Sequence, residues 1–348
     1  DLTIDTRGLC MSKIPEDKGR QMRSSVMLFG PLLGRLHKVD ACYPGGCSIG
    51  RRPIDLHLSA LQQMGARIRA DEERVEAYAE ELHGEEIRLP FPSVGATENI
   101  IMAAVAAKGI TRIHGAAREP EIEVLCRFLE AAGAKIHGIG SGLLEIHGGR
   151  KLRDTEFAMP GDRIVAGTYL GAVMAAGGEV CLLGVPAGHM EKTLTVAEQA
   201  GCIVKAEDGR LFAKMKGRPK AVNLATGPYP DFSTDLQSVM LAVASVADGE
   251  SRIRETVFEE RFATAGELKK MGADIRIEQG TALIRGRYPL EGAVVRARDL
   301  RGGAALVVAG LAAEGESRVH GCFYICRGYE DICRDLSAAG AKISLKED

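Results

Sequence analysis

Apolar and polar residues follow a pattern along the chain that recurs about every 68 residues. Five segments each contain a stretch of helical periodicity, a glycine and then apolar residues, at positions 61–68, 129–136, 197–204, 268–275 and 336–343. Their glycines are Gly65, Gly133, Gly201, Gly272 and Gly340, spaced by 68, 68, 71 and 68 residues. Each segment predicts the end of an amphipathic helix, a glycine in the left-handed cap position and a strand that follows at once.

Stretches rich in alanine, glycine and valine lie between these segments and predict a second kind of helix. They occupy residues 26–36, 100–109, 166–178, 239–249 and 304–315. Alternating helices and strands predict an α/β fold built from βαβαββ repeats. Because small apolar residues allow close packing, we expect these helices inside the fold and the charged helices on its surface.

Five repeats do not divide evenly between two domains, whereas six repeats would form two closed domains of three repeats each. Residues 2–5 resemble the last strand of a sixth repeat. We therefore expect two domains, residues 1–160 and residues 161–348, with five of six repeats present and one missing before Asp1.

Composition narrows the classes of function. The 348 residues are 45% hydrophobic, enough for two cored domains, and the net charge of −2 with 5% aromatic residues argues against a nucleic-acid partner. No apolar run reaches the length of a membrane span, and no signal peptide precedes the first repeat. Nine irregularly spaced cysteines predict a reduced, cytoplasmic protein. No motif predicts a cofactor.

Arginines recur in the loops between strand and helix. Arg52, Arg118, Arg261 and Arg327 precede four repeat glycines by similar distances, and further charged residues begin the inner helices, namely Arg23, Asp162, Arg163, Asp235, Asp299 and Arg301. Helix N-termini and arginines both bind oxyanions. The pattern predicts a site for phosphate and carboxylate groups, and the alternative for any single arginine is a solvated surface charge.

The segment PGGCSIGRRP at residues 44–53 is the strongest chemical signal. It places Cys47 in a glycine-rich loop, followed by Arg51 and Arg52, whose charges favour a thiolate or a bound anion. The alternative is an incidental surface cysteine. His320, Cys322, Cys326 and Cys333 match no standard zinc spacing, and the remaining histidines show no paired spacing, so we expect no metal site.

Several motifs together resemble the UDP-N-acetylglucosamine 1-carboxyvinyltransferase family of enolpyruvyl transferases. They are PGGCSIGRRPIDLH at 44–57, PSVGATENI at 92–100, AAREPEIE at 116–123, GDRIVAGT at 161–168, YPDFSTDLQ at 229–237, FEERF at 258–262, DLRGGAALVVAG at 299–310 and RGYEDI at 327–332. The resemblance implies an inside-out α/β barrel of two domains with the active site in a cleft. The related 3-phosphoshikimate enzymes share this fold but lack the cysteine loop.

The resemblance also implies the reaction. Phosphoenolpyruvate would give its enolpyruvyl group to the 3′-hydroxyl of UDP-N-acetylglucosamine through a tetrahedral intermediate, with release of phosphate. This is the first committed step of peptidoglycan precursor synthesis. Both partners are small molecules, and no cofactor is implied.

Roles carry over to individual residues by the same resemblance. Cys47 would be the general acid and the thiol that fosfomycin alkylates, Asp235 would be the base, and Arg327 would complete the catalytic set. Glu119 and Arg163 would have secondary roles. The implied substrate-binding residues are Arg23, Arg52, Pro53, Ile54, Asp55, Leu56, Phe91, Pro92, Ser93, Val94, Gly95, Val257 and Arg301.

One departure from the family keeps two alternatives open. Relatives begin with a segment whose lysine and asparagine contact both substrates, and we expect it to belong to the missing repeat. The chain is then either an enzyme shortened at its start or a truncated paralogue that binds UDP-sugar without turnover. A 3-phosphoshikimate 1-carboxyvinyltransferase-like activity is the other alternative.

Overall fold

The computed structural model describes residues 2–45 and 53–346. These residues form two compact units, the first within residues 2–159 and the second from Pro160 to residue 346. Each unit has its own hydrophobic core. We propose that they correspond to the two domains expected at residues 1–160 and 161–348. In the parts of the chain that the structure describes, no helix has the length and apolarity needed to cross a bilayer.

The first unit contains five helices and seven strands in its described residues. Its helices are α1 (Glu16–Gln21), α2 (Phe29–Leu36), α3 (Asp55–Gln63), α4 (Val94–Ala106) and α5 (Pro120–Ala131). Its strands are β1 (Lys38–Cys42), β2 (Arg67–Ala70), β3 (Arg74–Tyr78), β4 (Glu86–Arg88), β5 (Ile110–His114), β6 (Lys135–His137) and β7 (Leu143–His147). A 3₁₀ turn, Arg23–Leu28, leads into α2.

The second unit continues the same alternation. Its helices are α6 (Arg163–Ala176), α7 (Glu191–Gln199), α8 (Gln237–Val246), α9 (Ala263–Lys270), α10 (Leu300–Leu311) and α11 (Ile332–Ala338). Its strands are β8 (Gly178–Leu183), β9 (Ile203–Glu207), β10 (Arg210–Met215), β11 (Asn223–Ala225), β12 (Glu250–Arg254), β13 (Asp274–Glu278), β14 (Thr281–Arg285), β15 (Leu290–Glu291), β16 (Val294–Arg296), β17 (Ala313–Glu314) and β18 (Arg318–His320). Short 3₁₀ turns are Ala187–His189, Thr234–Leu236 and Cys322–Arg327.

The sheets show the repeat directly. Strands β4-β5-β7-β6 and strands β11-β12-β14-β13 form two four-stranded sheets of identical order. In each sheet the first pair is parallel and the other two pairs are antiparallel. Strands β1-β3-β2 and β8-β10-β9 form three-stranded versions, while β15 pairs with β17 and β16 with β18. The βαβαββ prediction is therefore confirmed in the second and fourth repeats.

Glycine caps end the outer helix of every repeat, as predicted. Helices α3, α5, α7, α9 and α11 each stop one or two residues before a repeat glycine, and all five of these glycines have φ between 87° and 108°. A residue with a Cβ rarely adopts this left-handed backbone. The strand expected after Gly340 is not formed, because residues 341–346 pair with no strand in the described chain.

The inner helices are buried against one another. Helices α6, α8 and α10 pack together in the second unit, and α2 packs on α4 in the first. All ten residues of α8 are buried. The sheets and the capped helices lie outside this helical centre, so the expected inside-out arrangement is present in each unit.

Small residues make this helix packing possible. A Cβ on Gly171 of α6 would lie 2.4 Å from Cγ1 of Val239 in α8, which is closer than van der Waals contact allows. Valine has essentially one χ1 rotamer in a helix, so its methyl group cannot turn away. The approach of α6 to α8 therefore depends on glycine at this position.

We expect Gly171→Ala to destabilise the protein by about 1–3 kcal/mol, because overpacking outweighs the better helix propensity of alanine. Gly266→Ala is the matched control, since Gly266 is exposed in outer helix α9 and no atom lies within 4 Å of the added Cβ. That control should be neutral or slightly stabilising. Urea unfolding of both variants measures the difference, and equal midpoints would contradict the packing argument.

Candidate active site

Residues 46–52 of the glycine-rich segment lie outside the described residues, and with them Cys47 and Arg52. The segment that follows the loop is described. Pro53 and Asp55 are exposed, Ile54 is buried and Leu56 is half-buried where α3 begins.

Two other predicted substrate-binding segments lie in the first unit. Arg23 begins the 3₁₀ turn before α2, and its Nη2 donates a hydrogen bond to the carbonyl oxygen of Pro53 at 3.1 Å. Ser93 is the N-cap of α4, where its Oγ accepts from the amide of Ala96 at 3.3 Å. The side chain of Phe91 is exposed, whereas Pro92, Val94 and Gly95 are half-buried.

A buried polar network joins these three segments. Asn99 of α4 donates from Nδ2 to the carbonyl of Val26 at 3.0 Å and accepts at Oδ1 from the amide of Gly30 at 2.7 Å. The same Nδ2 lies 3.1 Å from Nδ1 of His57 in α3, and the His57 ring packs against Gly95. Asn99 thereby fixes α3 and α4 to the turn that carries Arg23. Sequence reasoning missed both His57 and Asn99, although they lie inside the quoted motifs.

Helix α4 also carries Glu98, a carboxyl group whose pKa is shifted. Burial, together with the nearby charges of Glu121 and Glu119, raises the pKa of Glu98 in α4 to about 7. A carboxyl group with this pKa is partly protonated at neutral pH. Glu98 can therefore donate or accept a proton in the physiological range, which an ordinary glutamate does not do.

Replacing Glu98 with glutamine should change how stability depends on pH. Because the folded pKa lies above the unfolded value of 4.5, the contribution of Glu98 is fully present below pH 4.5 and is lost as pH rises through 7. We expect Glu98→Gln to stabilise the protein at pH 8 by about 1–3 kcal/mol and to flatten the profile between pH 5 and 8. Denaturant unfolding at several pH values measures both effects.

Glu123→Gln is the control, since Glu123 is half-exposed on α5 and pairs with Arg127 at 3.7 Å. Its profile above pH 6 should match that of the parent. If Glu98→Gln and the parent have parallel pH profiles, Glu98 ionises normally in the folded protein.

Asp235 is the centre of the charged cluster in the second unit. It lies in the 3₁₀ turn before α8, and its two carboxylate oxygens accept from different arginines. Arg261 Nη2 donates to Oδ1 at 2.7 Å, and Arg301 Nη2 donates to Oδ2 at 3.0 Å. Arg261 is almost fully buried, with 3% of its side chain exposed, and it also donates to the carbonyl of Thr234. Two of the predicted residues, Asp235 and Arg301, are therefore in direct contact.

The electrostatics of this cluster favour an anionic ligand. Burial alone would raise the pKa of Asp235, but the charges of Arg301 and Arg261 and the hydrogen bond from Arg301 hold it below the usual value. Asp235 is thus ionised at neutral pH, and it neutralises only one of the two paired guanidinium groups. The Nη1 of Arg301 is buried and has no hydrogen-bond partner among the described atoms. A phosphate or carboxylate oxygen would satisfy it.

Glu255 organises the loop around Asp235. Its Oε1 accepts from Thr226 Oγ1 and from the amide of Val257, both at 2.8 Å, and from the amide of Phe258 at 3.2 Å. Its Oε2 accepts from Thr234 Oγ1 at 3.0 Å. This buried carboxylate links the turn of Asp235 to the loop containing Val257, and sequence reasoning did not single it out.

The remaining predicted residues are more dispersed. Arg163 begins α6, lies over the ring of Tyr229 at 5.9 Å and contributes a lowering charge to the pKa of Asp235. Arg327 is exposed at the end of a 3₁₀ turn and makes no ion pair with the described residues. Arg261 was noticed as a loop arginine but was not assigned to the site, where it is the most buried partner of Asp235.

We expect Glu255→Gln to destabilise the second unit by about 1–3 kcal/mol, because an amide cannot accept all four hydrogen bonds and leaves buried donors unsatisfied. Hydrogen exchange should accelerate at the amides of Val257 and Phe258. Exposed Glu259 offers the control substitution Glu259→Gln, which should change neither property. Unchanged exchange at both amides would show that Glu255 does not hold this loop.

Residues 3–336 match the family model described as EPSP synthase (3-phosphoshikimate 1-carboxyvinyltransferase). The UDP-N-acetylglucosamine 1-carboxyvinyltransferase 2 of Caldanaerobacter subterraneus subsp. tengcongensis is 45% identical over 344 residues, covering 99% of this chain and 82% of that protein. The chain belongs to the enolpyruvyl transferase family. The UDP-N-acetylglucosamine 1-carboxyvinyltransferase of Mycobacterium bovis is 46% identical over 324 residues, covering 93% of this chain and 78% of its own length.

Solved structures of enolpyruvyl transferases share the fold. NikO from Streptomyces tendae superposes with a TM-score of 0.85 at 22% identity, covering 96% of this chain and 80% of that one. An EPSP synthase from Acinetobacter baumannii gives a TM-score of 0.70 at 22% identity, covering 93% and 79%. These likenesses confirm the predicted inside-out α/β fold of the enolpyruvyl transferases.

Proposed function

We propose that the chain transfers the enolpyruvyl group of phosphoenolpyruvate to the 3′-hydroxyl of UDP-N-acetylglucosamine and releases phosphate. The observation that carries this proposal is the 45% identity, over 99% of the chain, with a protein named for that activity. The alternative reaction on shikimate 3-phosphate has less support, because the solved EPSP synthase is 22% identical. The Cys47 segment also argues against it.

The second unit would supply the base and anion-binding groups. Ionised Asp235 would accept the proton of the sugar hydroxyl as its oxygen bonds to the substituted carbon of phosphoenolpyruvate. The unsatisfied Nη1 of Arg301 supports a role in holding a phosphate or carboxylate oxygen. Arg261, already paired with Asp235, would keep that carboxylate oriented. Arg327, which is exposed, would bind the same substrate through its guanidinium, and Val257 would contact the sugar.

The first unit would supply the acid and the nucleotide-binding surface. Cys47 would protonate the methylene carbon of phosphoenolpyruvate, giving a tetrahedral adduct. The Cys47 thiolate would then take a proton back from the new methyl group as the carbon–oxygen bond to phosphate breaks, which forms the enolpyruvyl ether. The leaving phosphate would take the proton held by Asp235, so both groups return to their starting state. We assign binding of UDP-N-acetylglucosamine to Arg23, Arg52, Pro53, Ile54, Asp55, Leu56, Phe91, Pro92, Ser93, Val94 and Gly95. The His57–Asn99 network supports this assignment because it ties the described segments together.

We further propose that the chain acts in the cytoplasm and binds no nucleic acid. Eight cysteines in the described residues are free thiols, which is typical of a reducing compartment. The net charge of −2 gives no general attraction for a polyanion.

Phosphate release is the direct test. We expect release from phosphoenolpyruvate to require UDP-N-acetylglucosamine and not to be supported by shikimate 3-phosphate. Asp235→Asn should slow it about 10²–10⁴-fold, since a positioned base contributes that much. Asp248→Asn, at an exposed carboxylate of the same unit, should have no effect.

Fosfomycin should modify Cys47, and Cys47→Ala should abolish this labelling while Cys181→Ala at an exposed thiol should not.

Each failure has a distinct meaning. Release with shikimate 3-phosphate alone would favour the alternative reaction. Calorimetric binding of UDP-N-acetylglucosamine without turnover would favour the non-catalytic paralogue. Absence of both binding and turnover would reject the proposed substrate.

A further inference from the structure

Two histidines and a glutamate meet on the outer face of the β4-β5-β7-β6 sheet of the first unit. His137 lies on β6, and Glu145 and His147 lie on β7. Their ligand atoms, one from each side chain, all lie within 4.8 Å of one another. His147 Nε2 is 2.9 Å from Glu145 Oε1, and the two imidazole rings meet edge to face with centroids 5.4 Å apart.

Strand register produces this convergence. His137 and Glu145 are directly opposed across the antiparallel β6–β7 pair, which places their Cβ atoms about 5 Å apart. His147 is two residues beyond Glu145 and therefore points to the same face. The sequence hides the group because the two histidines are ten residues apart and come together only through the turn between the strands.

We propose that His137, Glu145 and His147 form a binding site for a divalent transition-metal ion of the zinc type. Imidazole nitrogen and carboxylate oxygen are preferred ligands of zinc. Ligand atoms around a tetrahedral zinc ion are about 3.3 Å apart, given bond lengths near 2.0–2.1 Å. Small rotations of the exposed or half-buried side chains close the observed separations. Water would occupy the fourth position.

A supporting hydrogen bond already orients the carboxylate. Arg112 of β5 donates from Nε to Glu145 Oε2 at 2.8 Å, which leaves Oε1 facing His147. Such contacts to a ligating carboxylate are usual around metal sites because they fix its orientation. Arg112 is also partnered by Glu86 at 3.3 Å, so its charge is shared between two carboxylates.

A plain ion-pair ladder accounts for only part of this arrangement. It explains Glu86, Arg112 and Glu145, which lie side by side across three strands. It does not explain His137, whose side chain makes no hydrogen bond or ion pair with any described residue and meets the His147 ring edge to face. A metal ion gives both imidazoles a common partner.

The second four-stranded sheet serves as an internal comparison. Its register matches that of the first, so Arg252 stands where Arg112 does. The positions of His137, Glu145 and His147 are occupied there by Arg276, Leu283 and Arg285. The fold therefore forms without histidine or glutamate at these positions, which means that the triad of the first sheet is not a requirement of the architecture.

Zinc titration of the full chain tests the proposal. With the cysteines kept reduced and a competing chelator present, we expect one site that weakens about 100-fold or more in His137→Ala and in His147→Ala, since loss of a ligand costs at least as much as loss of a supporting contact. Zinc should raise the melting temperature of the parent and not that of either variant. Co²⁺ should give a visible d–d spectrum that both substitutions abolish.

His114→Ala is the matched control. His114 lies on β5 of the same sheet, with Nε2 3.2 Å from Glu86 Oε2, and it does not belong to the triad. Its zinc affinity should equal that of the parent. Equal affinity in the parent and in both triad variants would place the zinc outside the triad and overturn the proposal, as would the absence of zinc binding. Metal-free melting curves of all four proteins show whether the variants are folded.

Discussion

Close packing of the inner helices is the constraint on which both units depend. Helices α6, α8 and α10 touch one another along faces of small residues, as Gly171 against Val239 shows. The residues that begin these helices must then lie near each other. Arg163, Asp235 and Arg301 stand at three such beginnings, and the contact of Arg301 with Asp235 follows directly. A larger residue at the helix crossing would separate the helices and also the charges at their ends.

The same packing buries polar groups at the starts of the inner helices, where a polar group without a hydrogen-bond partner destabilises the fold. Neighbouring side chains supply partners for most of these groups. Aspartates cap α6 and α10, where Asp162 and Asp299 each accept from two amides of the first turn. Glu255 satisfies four donors around Asp235, and Asn99 satisfies two backbone groups in the first unit. Among the described residues of the second unit, the buried Nη1 of Arg301 remains without a hydrogen-bond partner, as do Nε2 of Gln237 and Oγ of Ser317. Of these groups, the Nη1 of Arg301 belongs to a guanidinium that is already in contact with Asp235, which places it in the charged cluster.

Sequence reasoning recovered the features that depend on local patterns. Glycines such as Gly133 end helices because the cap position has a left-handed backbone, which glycine adopts most readily. A single residue therefore indicates the helix end, and the same cap recurs in every repeat. The prediction of a strand after Gly340 was wrong, because a strand forms only where another strand pairs with it. The local sequence does not show whether such a partner is present. Side chains defined by long-range contacts were harder to find. The backbone partners of Asn99 lie 69 and 73 residues before it, and its partner His57 lies 42 residues before it. The two arginines of Asp235 lie 26 and 66 residues after it.

Side chains on the outer faces of the sheets do not have to fit a packed core. A binding site can therefore form there without disturbing the fold. Along β7, Leu144 and Ile146 are buried in the core, while the alternate residues face outward. The choice of residue at a core position is restricted because each side chain must fit its neighbours. An outward position can hold different residues in the two matched sheets, as Glu145 in one and Leu283 in the other show. A cluster with specific chemistry at unrestricted positions is not explained by folding. For the His137–Glu145–His147 group, the shared metal ion that we propose would supply a reason beyond the pairing of Glu145 with Arg112 and His147.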